Sequence, residues 1–181
     1  MSNLQAREAL ERAQRLFRER PSAAVKNVPA TAVWQDGLKC KISNPEGRTI
    51  VTDMAKAIGG GDAGPSPGWL LRASLAACTA TAIAMRAALN GIELRELEVT
   101  VSSDTDIRGA VGIDGVPMAM TGMRMSLKVC ADSSAEAMLR EIVAWASTQS
   151  TVSATLHQEL VFPVDVTMTA SPATITVPSN Q

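Results

Sequence analysis

Thiols are the groups in this chain whose type and placement could support covalent chemistry. There are three, Cys40, Cys78 and Cys130, beside one histidine, His157. No Cys-x-x-Cys pair occurs, and one imidazole cannot build a tetrahedral site, so no metal or other cofactor is expected. The single histidine also leaves no Ser-His-Asp or Cys-His constellation of the usual kind, since nothing places His157 beside a nucleophile. It reads as a solvent-facing position on a short helix.

Cys78 lies in the middle of "PGWLLRASLAACTATAIAMRAALNGIE", Pro67 to Glu93. A lone cysteine among alanines and threonines packs well as a small apolar residue. To react, it must become a thiolate, and that needs a neighbouring donor or cation. The start of its own helix is about ten residues away, beyond the one-turn reach of the macrodipole. Arg72, six residues earlier, sits about 240° round the helix. Any activating group must come from another element or another chain.

The elements that hold Cys78 can be read from the pattern. Ser66 suits the N-cap, Pro67 the first turn and Gly91 the C′ position. These predict a helix from Pro67 to Asn90, roughly 35 Å long. It is apolar on nearly every side, so it must be buried all round. Its small residues permit close approach, and a second copy of the same helix is the natural cover. Three glycines in "AIGGGDAGPSPG" precede it, but no Lys-Ser/Thr pair follows, so this is a flexible loop and not a phosphate cradle.

Around the helix, alternation marks strands. "TAVWQDGLKCKISNPEGRTIVTDM" predicts a meander of three short strands. Its turns fall at Asp36-Gly37 and at Asn44 to Gly47, with Val33, Leu38, Cys40 and Ile42 on one face. Leu97, Val99 and Val101 alternate with Glu96, Glu98 and Thr100. Met123, Met125, Leu127 and Val129 alternate with Arg124, Ser126, Lys128 and Cys130. Ser133 and Glu136 predict a capping box for a helix with Met138, Ile142 and Trp145 on one stripe. "STVSATL" predicts a short helix capped by Ser150 or Thr151, and "ELVFPVDVTMTA" a last core strand. After Pro172 a ragged tail or edge strand is expected. The N-terminus predicts an amphipathic helix from Asn3 to Glu19, opened by a Ser2/Gln5 capping box and stopped before Pro21. Strands gathered around a central helix without βαβ alternation indicate α+β.

Composition narrows the function. The chain has 181 residues, 46% of them apolar, and a net charge of −1. That balance offers no field for nucleic acid or acidic membranes. Three scattered cysteines make no disulfide framework and indicate a reducing compartment. No secretory h-region opens the chain. Only 13 residues separate Arg72 from Arg86, short of the roughly 20 that a membrane span needs. A cytoplasmic location is the expectation.

The stretch "SPGWLLRASLAACTATAIAMRAALNGIELRELEVTV" resembles the central segment of the OsmC/Ohr family, the osmotically inducible and organic-hydroperoxide-resistance proteins. "DTDIRGAVG", Asp104 to Gly112, resembles the family's Asp-x-Arg-Gly stretch, and "STVSATL" its later Cys-Pro-Val-Ser segment. The resemblance runs from Thr31 to Ala170. It implies one OsmC-like domain over residues 23–181, with residues 1–22 an added helix. It implies an intertwined homodimer, two long central helices back to back and wrapped by antiparallel-rich sheets. It also implies a chemistry. Cys78 would attack a small organic hydroperoxide and become a sulfenic acid, and a second cysteine would close a disulfide that external thiols reduce.

This chain departs from that pattern. Ser150 stands where the resolving cysteine belongs, and Gly68 where a glutamate that orients an arginine belongs. For the arginine itself, Lys56 is the nearest counterpart. Cys40, with its inward parity, is a better substitute resolver than the outward Cys130, although core packing explains Cys40 as well. Two functions follow. One is thiol-dependent hydroperoxide reduction by Cys78 with an external resolving thiol. The other is a non-catalytic protein that binds a small apolar ligand at the dimer-interface pocket.

Overall fold

A computed structural model of the chain describes residues 3–161 and 163–168. Helix α1 spans Asn3–Glu19. Strands β1 (Thr31–Asp36), β2 (Lys39–Ser43) and β3 (Thr49–Thr52) form a meander. Helix α2 runs Pro67–Leu89, followed by β4 (Glu96–Asp104) and the single turn α3 (Ile107–Ala110). Then come β5 (Thr121–Cys130), α4 (Glu136–Gln149) and α5 (Thr151–Leu156). The strands make two antiparallel sheets, β1-β2-β3 and β4-β5. Helices on separate antiparallel sheets make this an α+β fold, as the pattern predicts.

α2 begins and ends where its caps dictate. The Ser66 hydroxyl accepts from Trp69 N, Pro67 fills the first turn, and Gly91 takes a left-handed φ of +69°. One stripe of it, Leu75, Thr79, Ile83 and Ala87, is fully buried on the core side, and Ala88 is buried on the opposite flank. That stripe joins Ile92, Leu139, Ile142 and Ala146 in the core, with Leu97, Leu127 and Val129 packed against it. The expected burial on all sides is therefore not reached within one chain. Ser74, Ala77, Thr81, Ala84 and Met85 remain exposed along the opposite flank. α1 lies over part of that flank through Asn3, Ala6 and Leu10, facing Ala84, Met85 and Ala88. Length and composition alone would let α2 cross a membrane. Here it is the core helix, packed on β4, α4 and α5.

Several local expectations need correction. Val33 does not share a face with Cys40 and Ile42, because it pairs with Lys41. The register slips between Trp34 and Asp36, and one extra residue in a strand inverts the facing of everything before it. Met123 and Met138 are exposed, and the buried stripe of α4 is Leu139, Ile142 and Ala146. A 3-10 turn, Ser133–Ala135, leads into α4, so its N-cap is Ala135, which makes no side-chain bond, and not Ser133. The predicted last strand is absent from residues 159–161 and 163–168. Among the described residues no strand pairs with this segment, and Val161, Val164, Val166 and Met168 stand exposed. Ser2, and the tail after Pro172, lie outside the described residues.

Candidate functional site around Cys78

The site is built where the α4–α5 corner meets the middle of α2. α4 stops at Gln149, and Ser150 takes an extended conformation before the chain turns into α5. The corner is held by its own hydroxyls. Ser153 Oγ donates to the Ser147 carbonyl at 2.6 Å, and Ser147 Oγ donates to the Val143 carbonyl at 2.8 Å. Ser150 occupies the N-cap position of α5 but does not cap it. Its Oγ instead lies 3.2 Å from Thr79 Oγ1, and both residues are buried, at 2% and 0% exposure. That bond ties α5 to the residue next to Cys78.

The sulfur of Cys78 is half-buried beside this tie. The backbone N–H of Val152 donates to Sγ across 3.5 Å. It arrives from a different element, as the helix geometry of α2 requires. Cys78 also lines a cavity of about 630 Å³. Ala82, Met85 and Leu89 supply apolar walls, Ser150 and Thr151 the corner, and Gln14 of α1 lines it as well. The Arg86 guanidinium lies 3.7 Å over the Trp145 ring, and both residues line the same space. A largely apolar cavity whose walls also carry a thiol, a guanidinium and the polar side chains of Gln14, Thr81, Gln149, Ser150 and Thr151 suits a small organic molecule with a polar end.

A family model described as OsmC-like protein matches residues 59–165, more than half of the chain. The chain belongs to the OsmC family. Solved structures share the fold at low identity. An OsmC-like protein from Mycoplasma pneumoniae is 19% identical with a TM-score of 0.58, covering 72% of this chain and 87% of that one. An organic hydroperoxide resistance protein OsmC from Legionella pneumophila is 19% identical with a TM-score of 0.54, covering 74% and 91%. An OsmC-like protein of unknown function from Vibrio cholerae is 10% identical with a TM-score of 0.60, covering 75% and 96%. No curated protein matches the sequence.

Within this OsmC-family chain the sequence-predicted residues separate. Cys78 and Ser150 meet at one cavity. Gly68 does not join them, standing ten residues before Cys78, or about 15 Å along α2. A side chain added there would approach Met120 Cε at 2.8 Å. Arg72 is committed elsewhere, its Nη1 donating to Ser103 Oγ at 3.1 Å. Lys56 is exposed on the 3-10 turn Lys56–Ile58 and does not line the cavity. Cys40 pairs with Trp34 and Thr52 in the outlying meander, and Cys130 is exposed at the end of β5. His157 is exposed, its Nδ1–H donating to the Ser153 carbonyl at 2.7 Å. Among the described residues no cluster of three His, Cys, Asp or Glu could hold a metal.

Arg86 and Trp145 are functional candidates that sequence reasoning passed over. Arg86 is eight residues after Cys78, about 80° round and therefore on the same side of α2. That spacing was available to find it. The Val152 amide had no such signal, because the α4–α5 corner alone brings it to the sulfur.

Two acidic residues shape the surroundings. Burial would push the Asp53 carboxyl up, but N–H donors from Ala63, Met54 and Gly61, with a weaker pull from Lys39, hold it below the ordinary 3.8. It thereby ties down the glycine loop leading to α2. In the Asp-x-Arg-Gly stretch the Arg108 side chain and backbone hold Asp106 low, while Asp106 raises Arg108. Gly109 is required there, since a Cβ would sit 2.5 Å from the Pro117 carbonyl oxygen. This stretch is a structural corner.

Proposed function

We propose that the protein reduces small organic hydroperoxides with Cys78 as the nucleophile, and that an external thiol returns the oxidised sulfur to the thiol. The observation that carries this reading is the Val152 N–H donating to Cys78 Sγ at the wall of an apolar cavity. That geometry gives the sulfur a polar donor and gives an alkyl hydroperoxide a place to lie. The hydroperoxide-resistance role of the Legionella pneumophila relative points the same way. Arg86 would orient the peroxide end in place of the arginine that Lys56 does not supply.

The same reading places the protein in the cytoplasm as a homodimer. On this reading the OsmC-like domain spans residues 23–181, and residues 1–22 are an N-terminal extension that carries α1. The test is consumption of tert-butyl hydroperoxide with a dithiol as reductant. Wild type should turn over, and Cys78→Ser should fall to the uncatalysed rate while keeping its far-UV spectrum. Undiminished turnover in Cys78→Ser would remove the cysteine from the mechanism.

A second reading is favoured by Ser150 and Gly68, where two groups of the family's redox machinery are replaced. On it, the cavity binds a small apolar ligand and Cys78 only packs. A thiol inert to both peroxide and iodoacetamide, in a protein that binds an apolar fluorescent probe, would select this reading.

A further inference from the structure

A sulfenic acid on Cys78 would have no thiol beside it. Ser150 holds the position of the family's second cysteine, and its hydroxyl is engaged with Thr79. Cys40 lies on the meander and Cys130 on the exposed end of β5. What does face the sulfur is a nitrogen, the backbone N of Val152 at 3.5 Å. Val152 is the second residue of α5, so its N–H has no carbonyl partner within that helix. The N-cap side chain that would ordinarily accept from it has turned to Thr79. The amide is therefore held against Sγ by a corner fixed at Ser150 and Ser153. Sulfenic acids condense either with a thiol or with a backbone nitrogen.

We infer that the Val152 amide nitrogen resolves oxidised Cys78 as a sulfenamide, in place of the missing second cysteine. This rests on the reading of Cys78 as a peroxide-reactive thiol. The thiolate attacks one oxygen of the hydroperoxide, the O–O bond breaks, and the alkoxide leaves as the alcohol after taking a proton. The sulfur is oxidised to S–OH and the peroxide is reduced. The amide nitrogen then attacks sulfur. An S–N bond forms, the S–O bond breaks, and hydroxide leaves with the amide proton as water. A first external thiol opens the S–N bond, forming a mixed disulfide with Cys78 and returning a proton to nitrogen. A second thiol reduces that mixed disulfide, releasing Cys78 and the disulfide of the reductant. The S–N state shields the sulfur from further oxidation to the sulfinic acid, which thiols do not reverse.

The experiment uses the full chain carrying Cys40→Ser and Cys130→Ser, so that no disulfide can imitate the product. One equivalent of tert-butyl hydroperoxide is added, and the protein is analysed by intact mass and peptide mapping. The expected product is lighter by two hydrogens and unreactive to dimedone. Dithiothreitol restores it, and the tryptic peptide Ala73–Arg86 is cross-linked to the peptide beginning at Glu141. Val152→Pro, which removes the N–H at a first-turn position that tolerates proline, should accumulate dimedone-reactive sulfenic acid several-fold. If the proline variant does not fold, the parent's mass and cross-link decide alone. A persistent, dimedone-reactive sulfenic acid in the parent overturns the sulfenamide and leaves the peroxide chemistry standing. A Cys78 that peroxide does not oxidise overturns both.

Discussion

Thr79 and Ser150 each present a hydroxyl to the buried interior, and each is the other's partner. Removing one side of such a pair leaves a buried polar group unmatched, which costs about 1–3 kcal/mol. Removing both can be nearly neutral, because nothing is then left unsatisfied. Thr79→Val and Ser150→Ala should each lower stability by about that amount. The double variant should recover most of the loss, giving a coupling energy of clear sign in a urea-denaturation cycle. Additive losses would mean that the hydroxyls do not depend on one another. The pair also bears on chemistry, since it keeps the Ser150 hydroxyl away from the Val152 N–H. Freed from Thr79, that hydroxyl could cap α5 and compete with Cys78 for the amide. The single Thr79→Val variant should therefore slow reaction of Cys78 with peroxide, as well as destabilising the fold. A stopped-flow measurement of Cys78 oxidation separates the two effects, because stability alone does not alter the rate in a protein that remains folded.

At the scale of elements, the approach to α2 depends on one carboxylate. Asp53 accepts from the N–H groups of Met54, Gly61 and Ala63 at 2.7, 3.0 and 3.2 Å. Because its folded-state pKa lies below the ordinary value, its contribution is fully present above about pH 4 and fades as pH falls through the lower folded value. Wild type should lose stability in that acid window. Asp53→Asn should be less stable at neutral pH and show a shallower decline below pH 4, read by thermal melts across the range. Parallel pH profiles would mean that the loop does not rely on the charge. This staple was not legible in the sequence, where residues 57–68 read as a flexible loop, because the donors are backbone groups up to ten residues away. Elements with strong local signals were legible. α2 begins at Pro67 and stops within one residue of its prediction because Ser66, Pro67 and Gly91 act locally. The facing of β1 was not, because the irregularity between Trp34 and Asp36 is a property of pairing. Of the site, Cys78 and Ser150 were legible as residue types in place. Their donor and their cation were not, since both depend on how α4, α5 and α2 dock.

At the scale of the molecule, the apolar surface left open must be set against what an assembly requires. α1 lies beside the C-terminal end of the α2 flank, at Ala84, Met85 and Ala88, but leaves Ala84 and Met85 exposed. The exposed flank runs from Ser74 to Met85, about 18 Å of helix roughly 10 Å across. Two such strips facing one another bury on the order of 400 Å², well under the roughly 1,200 Å² of a stable specific interface. The proposed homodimer therefore cannot be held by a helix pair alone. The meander offers the remaining area. Every residue of β1 is exposed, including Val33 at 57% and Trp34 at 67%, and Ile50 on β3 is exposed as well. A dimer built on both surfaces predicts unequal damage from two charges. Ser74→Lys, in the short helix seam, should raise the dimer dissociation constant while leaving dimers at micromolar concentration. Trp34→Lys, on the larger sheet surface, should weaken assembly more, and the two together should give a monomer by light scattering. If Ser74→Lys alone dissociates the protein while Trp34→Lys has no effect, the helix seam carries the interface and the meander does not. A wild-type protein that is monomeric under the same conditions would show that α1 and solvent suffice to cover this core helix.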